Sequence, residues 1–221
     1  MKVTSQNPRE VQKELQRIIE DENARELVEV AYDAYRGLPY YSKTRKKVDD
    51  DIEYLLSDYT GRYIHAYWIG AYVLYMYPEL RKLLEDFREL NQELKSQKEK
   101  LNQLRPKYIE LTDTISKLEK EKEQIDKKTD RMSNRISKLE IELDSVDDQT
   151  KRNKIIKNLE SLKREYDDLV ERFINIGKEI KMIKKNNVMS EYRNASYNVR
   201  EIESVKYNIK KEVYRIVEKM P

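Results

Sequence analysis

Few residues in this chain could do chemistry, and they do not converge in sequence. His65 is the only histidine. No second His, no Cys pair and no spaced carboxylate set lies near it. A zinc site or a His-based triad needs such partners. His65 therefore reads as a polar residue on a helix face or in a core. Asp49, Asp50 and Asp51 suggest a cation site at first sight. Successive helical positions point about 100° apart, so three adjacent carboxylates do not meet on one ion. Near a helix start they suit the positive end of the helix dipole. Asp147 and Asp148 read as turn residues at a hairpin tip. No catalytic set, no metal site and no cofactor site is expected, and the chain reads as a non-enzyme.

Two stretches read instead as binding surfaces. Tyr40, Tyr41, Lys43, Arg45, Lys46 and Lys47 fall in a loop and the helix start after it. Rings there can stack on bases, and cations can hold phosphates. The helices on either side resemble a loose helix-turn-helix, with a link longer than the usual three or four residues. Asp49 to Asp51 follow at once and would repel phosphate. The second stretch is aromatic: Tyr67, Trp68, Tyr72, Tyr75 and Tyr77. It is first a helix core. It also holds more aromatic surface than a small head can enclose, so one face is expected to meet a protein partner. A third candidate, Lys181 to Lys185, reads as the basic flanks of a core Ile183.

These residues must be positioned by helices. The chain has 221 residues, of which 39% are charged, with only four Gly and five Pro. The charges alternate in sign and the apolar residues keep a period, which is a folded and not a disordered pattern. The balance of 45 basic against 42 acidic residues, net +3, gives little general pull on nucleic acid or anionic lipid. There is no Cys, so no disulfide or thiolate site. The start, MKVTSQNPRE, has no apolar core of a signal peptide. The most apolar run, Tyr63 to Tyr77, is too short to span a bilayer. A soluble, intracellular protein without a membrane span is expected. The composition also suits a thermophile.

Four helices are expected in residues 1–77. Asn7 caps the first, ahead of Pro8. Gly37 closes the second, Ser42 caps the third and Gly61 closes it. The fourth, about 62–77, is apolar nearly all round, as buried helices are. This is a Tyr-rich helical head domain. Residues 78–221 then read as a coiled coil. From Leu80 to Val146 the first and fourth places of every seven are apolar except Gln97, Lys122 and Thr129. That is one helix of about 100 Å at ~1.5 Å per residue. A polar turn at 147–151 separates it from a return run, 152–219, of matching length. Within the return the frame slips between Ile183 and Val188, at Asn186 and Asn187. Equal arms, 78–146 and 152–219, argue for an antiparallel hairpin. A parallel dimer through the same heptads is the rival. Pro106 lies almost opposite Asn187, so a kink is expected near that pair. Lys122 is expected to face Gly177, where space is left for its stem.

The fold class is thus all-α: a small Tyr-rich head carrying a long antiparallel coiled-coil hairpin. The function expected is a structural or adaptor protein. Its arm would mediate protein–protein assembly as a homo-oligomer or within a larger complex such as a virion. The alternative is a nucleic-acid-binding adaptor that uses residues 40–47.

Overall fold

The computed structural model describes residues 7–57 and 65–220. Among these, every regular element is an α-helix: α1 Pro8–Glu20, α2 Arg25–Arg36, α3 Lys43–Leu55, α4 His65–Met76, α5 Pro78–Ser145, α6 Gln149–Lys184 and α7 Asn187–Glu218. The chain is all-α. The expected loose tail before Asn7, the Gly61 stop, and Tyr63 and Ile64 at the start of the fourth helix lie outside the described residues.

The helix ends follow local chemistry. The Asn7 side chain accepts the Arg9 N–H at 3.2 Å, with Pro8 next in line. Ser42 Oγ accepts the Arg45 N–H at 3.2 Å. Each satisfies an amide that a helix start leaves unpaired. The Asp148 carboxylate does the same for Thr150 and Lys151, at 2.8 and 3.2 Å. That cap starts α6 at Gln149, three residues earlier than expected. Only 146–148 separate α5 from α6, so the turn is shorter than 147–151.

The chain forms two compact units. One is residues up to Glu99 together with Ala195 onward; the other is Lys100–Asn194. The first reaches well past the 1–77 expected for the head. Its core explains why. Leu15, Leu27, Leu55 and Tyr72 come from α1 to α4, but Leu80, Leu84 and Phe87 of α5 and Ile209, Val213 and Val217 of α7 are buried in the same cluster. Burying each such side chain contributes on the order of 2 kcal/mol, so this core does not close without both long helices. Polar ties follow the same route. Arg88 pairs with Asp21 at 2.6 Å, and Asn91 Nδ2 donates to the Asn23 carbonyl at 2.6 Å. Glu26 of α2 meets Lys206 at 2.9 Å and also Lys210. Burial works to raise the Glu26 pKa, but hydrogen bonds from Lys210 and Lys206 outweigh it and hold the carboxyl below its ordinary range.

In the second unit, α5 runs antiparallel to its partners. Along α5 the acceptors and donors Glu119, Glu121, Lys128 and Glu140 meet Lys184, Arg172, Glu165 and Lys163, at 2.6–3.0 Å. All are half exposed, so each contributes at most about 1 kcal/mol. The seam beneath them carries the stability: Ile115, Leu118 and Ile125 against Ile176, Ile180 and Met189. Met189, and not Val188, takes the core position after the break. The break lets the helix restart its frame: α6 ends at Lys184, and the Asn186 side chain caps α7 by accepting the Val188 N–H at 2.9 Å. Tyr108 stacks on Tyr192 with centroids 4.0 Å apart. That contact sets Pro106 about two turns from the break, and α5 continues as helix through Pro106.

The polar seam positions have local partners. Lys122 Nζ lies 4.4 Å over the Phe173 ring, and a Cβ added at Gly177 would meet only that Nζ, at 3.7 Å. Thr129 Oγ1 donates back to the Ile125 and Asp126 carbonyls, at 3.1 and 2.8 Å.

Candidate interaction surfaces

The aromatic helix α4 is mostly core. Trp68 and Tyr72 are buried. They are not open to a partner, which corrects their assignment to an interface. The physical reason is close packing: α4 touches α1, α2 and α3. At Gly70 it approaches α2 so nearly that an added Cβ would overlap the Val28 carbonyl oxygen.

Two buried tyrosines, Tyr72 of α4 and Tyr35 of α2, find acceptors on α3. Tyr72 donates to Asp51 at 2.5 Å, and Tyr35 donates to Asp49. Burial first, then the carboxylate, pushes the Tyr35 hydroxyl up to about 12 and raises Tyr72 further. Asp49 and Asp51 therefore tie two other helices to α3, while Asp50 stays exposed between them. Among the described residues no group of three or more His, Cys, Asp or Glu is placed to hold a metal ion. His65 opens α4.

The other three interface candidates are half buried. Tyr67 donates to Glu29 at 3.1 Å. The Arg81 guanidinium lies 4.2 Å from the Tyr75 ring centroid and donates to the Tyr75 carbonyl. Burial raises the Tyr77 pKa, a hydrogen bond with Thr44 acts against it, and Asp51 adds to it. Tyr77 also lines an open cleft of about 610 Å³ with Leu83, Ile216 and Met220, rimmed by Glu79, Lys82 and Arg215.

The Tyr40–Lys47 stretch divides in two. Tyr40 and Tyr41 are 76% and 91% exposed and meet edge to face, centroids 6.0 Å apart. Lys43, Lys46 and Lys47 are exposed around the first turns of α3. Arg45 is used internally. Its guanidinium sits 5.4 Å from both the Tyr35 and the Tyr40 rings and donates to the Leu38 carbonyl at 3.0 Å. At the turn of the second unit Asp147 is exposed and Asp148 is the helix cap.

One surface escaped the sequence reading. Tyr197, Tyr207 and Tyr214 stand outward on α7, at 63%, 57% and 39% exposure. Their three- and four-residue spacing with Arg200, Ser204 and Lys211 was visible, but only on the face opposite the apolar seam. Among the described residues no helix is long and apolar enough to cross a membrane. Comparison with family models, with curated proteins and with solved structures found no match for the chain.

Proposed function

We propose that this protein is a non-enzymatic structural or adaptor component whose coiled-coil arm mediates protein–protein assembly, with its own copies or inside a larger complex such as a virion. One observation carries the reading. In residues 100–194 the buried side chains are apolar, with Ile115, Leu118, Ile125, Ile176, Ile180 and Met189 packed in one seam between helices. Most exposed positions there are charged or polar, Ile109, Ile141, Ile174 and Met182 being exposed apolar exceptions. Such a body buries its apolar stripe on itself and offers its flanks to others. Light scattering on the full chain over a range of concentrations tests it. Association beyond the monomer is expected; a strictly monomeric, inert chain at high concentration sinks the reading.

A second reading rests on Tyr40 and Tyr41. Two exposed rings beside Lys43, Lys46 and Lys47 suit single-stranded nucleic acid, because bases stack on rings and lysines neutralise phosphate. Filter binding at two salt concentrations checks it. Retention should be strongest at low salt, and its absence there removes this reading.

A further inference from the structure

The compact unit that contains α1–α4 carries two outward stripes of opposite charge. On α7, Tyr197, Arg200, Ser204, Tyr207, Lys211 and Tyr214 recur every three or four residues, on the face turned away from Ile202, Ile209 and Val213. Among the described residues the ion pairs of this part of α7 use other residues: Glu203 with Lys98, Lys206 and Lys210 with Glu26, Glu212 with Arg215. Lys211 lies 4.5 Å over the Tyr207 ring. On α5, Glu79, Lys82, Asp86, Glu89 and Glu93 form the other stripe, with Glu85 beside it, all exposed. Among the described residues the ion pairs of this part of α5 are Arg88 with Asp21 and Lys98 with Glu203. Asp86, Glu89 and Glu93 thus stand three and four residues apart with no ion pair among the described residues, an arrangement that costs a few tenths of a kcal/mol per pair.

We propose that a second copy of this chain seats its acidic α5 stripe on the Tyr-and-cation α7 stripe of the first, and reciprocally, in a two-fold dimer. The inference rests on the assembly reading above and names its surface. Three observations favour this occupant. The charges are complementary. The spacings match: Arg200 to Lys211 spans about 16 Å of helix and Glu79 to Glu89 about 15 Å, at ~1.5 Å per residue. Both stripes belong to one compact unit, so a two-fold axis can use each twice and close the assembly. The tyrosines supply apolar ring area and a hydroxyl that can donate to a carboxylate. Nucleic acid fits less well. Tyr197 and Tyr207 are about 15 Å apart, too far for neighbouring bases, and Glu201 and Glu212 flank the stripe.

The test uses the full chain in sedimentation equilibrium, with circular dichroism to confirm that each variant is helical. Wild type should dimerise at low salt and more weakly at high salt, since these charges are exposed. The double variants Arg200→Glu/Lys211→Glu and Glu79→Lys/Glu89→Lys should each weaken dimerisation about tenfold or more, a loss of ~1.4 kcal/mol or more. Mixing the two variants in equal amounts should restore a dimer, because every contact in the mixed pair again joins opposite charges. Association that neither variant alters, and that mixing leaves unchanged, overturns this interface and leaves the assembly reading standing. A monomeric wild type overturns both. A monomer that retains labelled oligothymidylate at low salt, and loses it on Lys211→Glu, overturns the dimer in favour of a nucleic-acid face.

Discussion

Tyr35 and Tyr72 illustrate how a single hydroxyl fixes two helices. Each phenol is buried and donates to a carboxylate on α3. Ionising it would set two negative charges side by side in a partly buried site. Tyr35 is held near 12, above the ~10 of an unfolded chain. A folded state with the higher pKa keeps its proton longer. Its stabilising contribution is therefore complete below pH ~10 and is lost as pH rises from ~10 to ~12. The loss is on the order of 2 kcal/mol for this phenol, and Tyr72 acts in the same direction. Urea unfolding from pH 7 to pH 12 should show a midpoint that falls steeply above ~10. Tyr35→Phe/Tyr72→Phe should lose about 1 kcal/mol per hydrogen bond at neutral pH and then fall less steeply. Equal alkaline slopes would refute the assignment. Asp49 to Asp51 all lie mid-helix, away from the positive end of the dipole, because α3 begins at Lys43 and has no acidic residue in its first turn. Sequence read them correctly as diverging side chains, but not their place. It could not give them partners, because Tyr72 reaches Asp51 from another helix, across 21 residues of sequence. The same blindness made Trp68 and Tyr72 look like surface candidates: aromatic composition does not say which ring the neighbouring helices cover.

At the scale of the element, caps and periodicity were legible because they are local. Asn7, Ser42, the break near Asn186 and the seam of α5 were all readable within a few turns. Closeness between helices was not, and two glycines show the difference. Gly177 was noticed because it faces a polar seam residue. Gly70 was overlooked inside an apolar run, since its importance lies in the Val28 backbone across the α2–α4 contact. The two should respond oppositely to one methyl group. At Gly177 the new Cβ meets only the flexible end of Lys122 at ordinary distance. Gly177→Ala should then gain the helix preference of alanine, about 0.5–1 kcal/mol. At Gly70 the methyl would overlap the Val28 carbonyl and lie 3.0 Å from its Cγ1. That forces α4 away from α2 at a cost of roughly 1–3 kcal/mol, more than the helix preference returns. Thermal unfolding of both variants settles it. A stabilised Gly70→Ala would mean that the helices are not this close.

For the molecule as a whole, the sequence drew the boundary at residue 77 because the heptads begin there. A heptad reports that a helix has an apolar stripe, not what covers it. The first turns of α5, at Leu80, Leu84 and Phe87, are covered by α1–α4 as well as by the end of the return run in α7, and later turns by the return run without the head helices. Inside residues 100–194 the cross-helix contacts descend in order: Tyr108 with Tyr192, Glu119 with Lys184, Lys128 with Glu165, Glu140 with Lys163. A parallel dimer through the same heptads would instead set each residue beside its own copy. Leu118 and Ile180 separate the two arrangements, since both are buried in the seam and the descending order sets them at nearly one level. The chain has no cysteine of its own, so Leu118→Cys/Ile180→Cys introduces the only thiols. Mild oxidation should close a disulfide within one chain, seen as a faster-migrating monomer on a non-reducing gel. Each single variant should show no covalent dimer on the same gel. A covalent dimer from Leu118→Cys alone would place two copies of α5 side by side and overturn the intramolecular pairing. The joined double variant should also unfold at a higher denaturant concentration. Its loop encloses residues 118–180, and closing a loop of that length removes on the order of 4 kcal/mol of unfolded-chain entropy.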